Sequence, residues 1–291
     1  MIARRPGQAA LFLVPALGLY LLIVVYPLVR GGWLSLTDSK VGNSADFVGL
    51  DNYRTMAGDD NVLRALGITV AYAAVVVVLQ NGIGLALARA LHSRHRARPV
   101  VSVAILLPTL MSAVMAGFVW NYLLSPDGGV NGLLRAIGLD SVTQIWLGDP
   151  STALWSLALV NIWMFAGYSA AIFLAGYMNL PGDLLDAAQM DGASGWRRFR
   201  SVEWPLLAPA LTVNVTLALI GSLKVFELPL VMTNGGPAGS TTTLSLLIYI
   251  QIFRGQGSFA YGTAIALLLL VVVVVLAGGT QSLLRRREER I

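Results

Sequence analysis

Side chains that ordinarily make or break bonds are scarce in this sequence. It has no cysteine, which excludes disulfides, thiol nucleophiles and cysteine metal sites. Its two histidines, His92 and His95, are too few for a histidine-rich metal site. No Gly-x-x-x-x-Gly-Lys-Ser/Thr run is present to cradle a nucleotide phosphate, and no Gly-x-Ser-x-Gly elbow presents a serine nucleophile. Most carboxylates fall in polar connections, so no catalytic and no metal-binding residue is assigned. What remains is a set of polar side chains inside long apolar runs, suited to binding rather than reaction. Asn161, Met164, Phe165 and Tyr168 recur at i, i+3, i+4 and i+7, the spacing of one helix face. Ala218, Gly221, Ser222 and Val225 make a second, smaller-featured face. Lys224 and Glu227 lie three apart and can pair on one side of a helix. Each set has two readings. The first face either lines a ligand pathway or supplies interhelical hydrogen bonds and aromatic packing. The charges either line that pathway or neutralise each other near the outer end of a span. Gln80, Asn81 and Asn214 read as interhelical bonds rather than ligand contacts.

The elements that position these residues follow from composition. The chain of 291 residues is 56% hydrophobic and 12% charged, with a mean hydropathy of +0.71. A soluble domain carries about 25% charged residues, so lipid must solvate much of this chain. Six of the stretches that lack Asp, Glu, Lys and Arg read as spans: 6–29, 65–88, 99–125, 150–182, 204–223 and 255–284. Each is long enough for a helix across a bilayer, which needs about 20 residues. None alternates in the manner of a barrel strand. The expected fold is an all-α membrane protein of six transmembrane helices, with residues 1–291 forming one membrane domain. The first stretch follows Arg4 and Arg5 as a signal peptide would. It is too long for a signal core and no small-x-small site closes it, so it reads as an uncleaved span.

Arginine placement sets the orientation. Arg4, Arg5, Arg89, Arg94, Arg96, Arg98, Arg197, Arg198, Arg200, Arg285, Arg286, Arg287 and Arg290 fall on one side. Arg30, Lys40, Arg54, Arg64, Arg135 and Arg254 fall on the other. The richer side is cytoplasmic, so both termini face the cytoplasm of a multi-pass cell-membrane protein. The basic clusters then serve as topology signals and lipid-headgroup contacts. No aromatic stripe interleaves them, so nucleic acid is not a partner. On the outer face, Ser125-Pro126-Asp127-Gly128-Gly129-Val130-Asn131 and Thr233-Asn234-Gly235-Gly236-Pro237 read as turns.

Residues 184–209 form a polar island between two apolar runs. Leu184, Leu185, Ala187, Ala188 and Met190 favour a short helix. Asp191-Gly192 ends it, because glycine readily takes turn angles. Ser194 can cap a second short helix through Phe199. Pro205 suits the first turn of the next apolar helix. The expected product is a helix-turn-helix on the membrane surface, with Leu184, Leu185 and Met190 as apolar anchors and Asp186 and Asp191 beside them. Such a helix suits a groove on another protein.

This island resembles the cytoplasmic coupling loop of ABC-importer permeases, whose pattern is Glu-Ala-Ala, then Asp-Gly-Ala, an aromatic and basic segment, and two prolines. Here it reads Asp186-Ala187-Ala188, Asp191-Gly192-Ala193, Trp196-Arg197-Arg198-Phe199, Pro205 and Pro209. Asp186 stands for the usual Glu, and Trp204 for an aliphatic residue. The Thr-Asn-Gly-Gly-Pro run is similar to an outer loop of the carbohydrate-uptake branch of that family. The resemblance implies a type I ABC importer permease with a coupling loop at 183–205. It implies that Leu185, Asp186, Ala187, Ala188, Met190, Asp191, Gly192 and Ala193 meet an ATPase. It implies that Asn161, Met164, Phe165, Tyr168, Gly221, Ser222 and Val225 lie along a sugar pathway, which Lys224 and Glu227 join on the reading that intramembrane charges line it. The implied partners are a second, different permease, two ATP-binding subunits that hold ATP and Mg, and an extracytoplasmic sugar-binding protein. No cofactor is expected on this chain, and no enzymatic activity. Two other functions fit an apolar helical chain: a secondary ion-coupled transporter, or a membrane scaffold that docks a soluble partner. The first predicts inverted repeats or broken spans around midplane charges, and neither is evident in the sequence.

Overall fold

A computed structural model describes residues 6–39, 46–92, 98–254 and 258–289. Arg4, Arg5, Lys40, Arg94, His95, Arg96 and Arg290 lie outside the described residues. The helices in chain order are α1 (Leu13–Leu34), α2 (Asp51–Ala57), α3 (Asp60–His92), α4 (Pro99–Leu110), α5 (Ala113–Leu123) and α6 (Gly129–Ala136). They continue with α7 (Ala153–Met178), α8 (Gly182–Met190), α9 (Gly195–Leu206), α10 (Ala208–Leu223), α11 (Leu244–Phe253) and α12 (Phe259–Glu288). Among the described residues, extended pairing is limited to an isolated bridge between Thr37 and Phe47. This is the all-α architecture that the uninterrupted apolar stretches require, since a helix satisfies its own backbone in lipid.

Four helices, α1, α3, α7 and α12, are long and apolar enough to cross a membrane alone. Two further spans are bent pairs, α4 with α5 at 96° and α9 with α10 at 70°, giving six in all. The first bend has identifiable causes. Pro108 sits in a tight turn at Leu107–Leu110, and Met111 is extended. Ser112 then restarts the helix by accepting the Met115 amide at 3.2 Å, an N-cap bond. Thr109 Oγ1 fastens the bend to α7 by donating to the Met164 carbonyl at 2.6 Å. The second bend falls at Leu207, later than the sequence suggests. Pro205 lies in the last turn before it, and Pro209 occupies the first turn of the apolar helix. Two successive prolines cannot donate to the ladder, so the chain turns between them.

Contacts group the chain into two compact units, 1–63 with 247–268, and 64–246 with 269–291. In the first, Asn52 Nδ2 donates to the carbonyls of Ser35 and Thr37 at 2.8 and 2.7 Å. Asp59 caps α3 by accepting the Asn61 amide at 2.9 Å, and it accepts the Tyr261 hydroxyl at 2.7 Å. In the second unit α7 is the central helix and contributes to two buried clusters. One joins Leu157, Val160 and Met164 to Tyr72 and Val76 of α3, Ala116 of α5, and Leu228 and Met232. The other joins Phe173, Leu174 and Tyr177 to Ala88, Leu91 and Leu207. The outer turn beginning at Ser125 is shorter than its sequence suggests. Gly128 is the N-cap of α6, and Asn131 lies inside that helix. Its amide is buried between Pro126, Gln144 and Trp146, with bonds of 2.8 to 3.0 Å that recruit it into structure.

Burial pushes the Asp59 carboxyl up, but hydrogen bonds from Tyr261, Asn61 and Val62 outweigh it and hold the group below its usual range. A carboxyl lowered on folding stabilises above its unfolded value, and that stabilisation is lost as pH falls through the folded value. Asp59→Ala should therefore lower stability by about 1 kcal/mol at neutral pH, as lost helix caps do. The gap to the parent protein should narrow as pH falls below about 4, read by thermal unfolding in detergent.

Candidate functional site

A cavity of about 330 Å³ lies within the second unit. α3 contributes Gln80, the bend between α4 and α5 contributes Thr109 and Ala113, and α7 contributes Asn161, Phe165 and Tyr168. Asn214, Leu217, Ala218, Gly221 and Ser222 of α10 line it, and so do Lys224, Val225, Glu227 and Leu228 beyond. The cavity exists because two helices stop short. The α4–α5 bend removes a helix wall at Met111, and α10 ends at Lys224 before the chain resumes as a helix at Glu227.

The structure brings Asn161, Phe165 and Tyr168 together with Gly221, Ser222, Val225, Lys224 and Glu227. Met164 is not among them. It is 1% exposed and packs into the α3–α5–α7 cluster instead. The four residues at i, i+3, i+4 and i+7 span a broad arc, and α7 is packed on several sides. Lys224 and Glu227 do not form the expected helical pair. Lys224 is the helix C-cap, and non-helical Val225 and Phe226 separate the two. Among the described residues the ion pairs are Arg54 with Asp51, Arg135 with Asp127, and Arg198 with Glu203. Both unpaired charges are exposed in the isolated chain and line the cavity.

Three helices meet at Ser169 of α7. Gln80 Nε2 donates to its Oγ at 2.9 Å, and Asn214 Nδ2 donates to its carbonyl at 3.1 Å. These are the interhelical bonds expected of Gln80 and Asn214, yet both residues also line the cavity. Asn81 differs from expectation, because its Nδ2 donates to Val77 within its own helix at 2.7 Å. Gly84 permits the junction: a Cβ there would lie 2.6 Å from that of Ser169. Gly167 similarly lets α7 approach the backbone of Ile105 in α4.

The polar island forms the two short helices α8 and α9. Gly192, at φ +76°, makes the turn, and the Ala193 amide closes it on the Ala188 carbonyl at 2.9 Å. Ser194 stands at the N-cap of α9, but its side chain makes no cap bond. Asp186, Ala187, Met190, Asp191 and Gly192 are exposed, Leu185 and Ala193 are half-buried, and Ala188 is buried. Met190, 88% exposed, is the most prominent apolar side chain of α8. Behind this surface, the Arg89 guanidinium covers the Phe199 ring at 4.5 Å and donates to the Gly195 carbonyl at 3.0 Å. Arg287 covers Trp204 at 5.0 Å. Glu203, nearly buried, accepts from Arg198 at 2.8 Å and from the Tyr177 hydroxyl at 3.4 Å. Glu288 accepts from Thr212. From the sequence, Arg89 and Arg287 read as topology signals and lipid-headgroup contacts, and Glu203 is not singled out. A carboxylate next to Trp204 in an apolar stretch five residues after Arg198 is the signal available for that pair.

Residues 80–289 match the family model described as the binding-protein-dependent transport system inner membrane component. The trehalose/maltose transport system permease protein MalF of Thermococcus litoralis is 32% identical over 267 residues, covering 91% of this chain and 89% of that protein. The trehalose transport system permease protein SugA of Mycobacterium tuberculosis is 32% identical over 262 residues, covering 89% and 83%. The fold is similar to a chain of a bacterial ABC transporter involved in the import of the acidic polysaccharide alginate. That match has a TM-score of 0.84 at 24% identity and covers 97% of this chain and 96% of the other.

The contact at Gly84 yields a sharp expectation. Gly84→Val should separate α3 from α7 and destabilise the chain by about 1–3 kcal/mol through overpacking. The measurement is the thermal midpoint of the purified protein in detergent.

Proposed function

The chain belongs to the family of binding-protein-dependent transport system inner membrane components, and on that premise we propose that its cavity passes a carbohydrate across the membrane. It is a membrane-spanning transport subunit of an ABC importer, and ATP hydrolysis resides in other subunits. The observation that carries the carbohydrate reading is the cavity lining. Asn161 offers an amide to hydroxyl groups, and Phe165 and Tyr168 offer rings to the apolar faces of a sugar. The sugars in the names of MalF and SugA, trehalose and maltose, support the same class.

Energy enters at α8 and α9. Met190 is the apolar anchor for a groove on the ATP-binding subunit, with Leu185 behind it, and Asp186 and Asp191 set the register. Ala187, Ala188, Gly192 and Ala193 shape that face. Two such subunits holding ATP and Mg, a second and different permease, and an extracytoplasmic sugar-binding protein complete the assembly. No cofactor is assigned to this chain. Arginine placement supports cytoplasmic termini and a cytoplasmic coupling surface. When the ATP-binding subunits close, displacement of α9 is passed to α3 through Arg89 on Phe199, to α12 through Arg287 on Trp204, and to α10 through Leu207. The two states must bind the partner differently for this to shift the cavity's access.

The test is reconstitution with the ATP-binding, second-permease and binding-protein subunits, reading sugar-stimulated ATP hydrolysis. Gly192→Asp forces a side chain into φ +76° and should lower coupled hydrolysis about tenfold, the effect of about 1.4 kcal/mol. Tyr168→Ala should raise the half-saturating sugar concentration about fivefold, a loss of about 1 kcal/mol, while the complex still assembles. Coupled hydrolysis unaffected by Gly192→Asp would remove α8 and α9 from the coupling path. Loss of assembly in Tyr168→Ala would assign that ring to packing.

A further inference from the structure

The two amides at the Ser169 junction have an unused end. Asn214 donates through Nδ2 to a backbone carbonyl. A carbonyl only accepts, so this bond fixes the orientation of the amide. Asn214 Oδ1 is turned away from that bond, and among the described residues no donor reaches it. Gln80 donates through Nε2 to the Ser169 hydroxyl, which unlike a carbonyl can also donate, and in this arrangement no donor among the described residues reaches its Oε1. The side chains are deeply buried, Gln80 at 5% and Asn214 at 1% exposure. Both nonetheless line the cavity, and neither oxygen is sealed from it. An amide oxygen that faces a cavity without a protein donor is left to accept from whatever occupies that cavity. Helix packing uses only the N–H end of each amide. A ligand with hydroxyl donors satisfies both oxygens.

We propose that Gln80 and Asn214 are specificity-determining residues that accept hydrogen bonds from hydroxyl groups of the transported carbohydrate. The inference rests on the carbohydrate reading above and extends it to residues on α3 and α10. Asn161 of α7, 8% exposed, is the third amide in the same lining. The ligand is thus held by the three helices that meet at Ser169. The arrangement selects for donors. A neutral polyol satisfies the two oxygens, whereas a carboxylate or an ether presented there leaves them unpaired and is disfavoured. Binding also reinforces the junction. A hydroxyl donated to an amide oxygen polarises the amide and strengthens the bond from its N–H to Ser169. Occupancy of the cavity therefore tightens α3 and α10 onto α7.

The experiment uses the complete importer in vesicles, with uptake of labelled trehalose and maltose as probes within a panel of mono- and oligosaccharides. Gln80→Met and Asn214→Leu each remove an acceptor. Each should raise the KM for the transported sugar about fivefold or more in complexes that still assemble, with the change falling on KM more than on maximal rate. Ser169→Ala cuts the Gln80 tie but leaves both oxygens, so its KM should stay within about twofold. Gln80→Glu keeps an acceptor and can accept from Ser169, so it should restore KM toward the parent value. Unchanged KM in both Gln80→Met and Asn214→Leu overturns the inference. So does Ser169→Ala raising KM as far as Gln80→Met, since the amides would then act only as helix ties. If one variant fails to assemble, the other amide decides the question. A parent importer that takes up no sugar in the panel overturns the carbohydrate reading itself, a result distinct from a failure of these two residues alone.

Discussion

The approach of α3 and α10 to α7 at Ser169 is the constraint on which the second unit depends. Apolar side chains do not drive helices together in lipid, because the alternative solvent is equally apolar. Close backbone approach and a few hydrogen bonds must do it. Gly84 supplies the approach, and Gln80 and Asn214 supply the bonds. Interhelical bonds of this kind contribute about 0.6 to 2 kcal/mol each. They also pin the depth and rotation of three helices at one point. Once α7 is fixed there, Asn161, Phe165 and Tyr168 face the gap left by the α4–α5 bend and the end of α10. The cavity follows from where helices stop, and the Ser169 junction determines which side chains look into it.

The coupling surface obeys a different physics. α8 and α9 are short helices joined by a glycine turn, and they bury little apolar surface of their own. Cations from the ends of two long helices hold α9 from behind, Arg89 over Phe199 and Arg287 over Trp204. The Arg198–Glu203 bond braces α9 internally. Guanidinium over an aromatic face contributes roughly 0.5 to 2 kcal/mol, more as the pair is desolvated. Such contacts bind firmly yet tolerate sliding, as the proposed coupling movement would require. The outward face keeps Met190 and its neighbouring carboxylates exposed.

Much of this was legible in the sequence. Six uncharged stretches foretold the helical architecture, because lipid leaves a chain few alternatives. Asp191-Gly192 foretold the turn between α8 and α9, because glycine accepts a positive φ. Features set by tertiary contact were harder to read. Pro108 was visible, but a 96° bend also needs Thr109 bonded to Met164 and a bare Gly167 beneath Ile105. The helix stop at Lys224 has no local breaker, so Lys224 and Glu227 read as neighbours on one face when they are not. Met164 shows the limit of periodicity on a helix with both a core and a cavity to face. Gln80 and Asn214 were recognised as helix ties, but an amide has two ends, and only coordinates show where the second one points.

The most direct test of the central claim, that this cavity is the transport path, uses the absence of cysteine in the chain. Gly221 lines the cavity, and a Cβ there meets nothing within 4 Å. Gly221→Cys therefore places a single thiol in the path without a clash. In the reconstituted importer, a membrane-impermeant maleimide is applied from one side or the other, with the ATP-binding subunits empty or trapped with nucleotide. The account predicts that the side from which Cys labels reverses when nucleotide is trapped. Labelling from the same side in both states would contradict it.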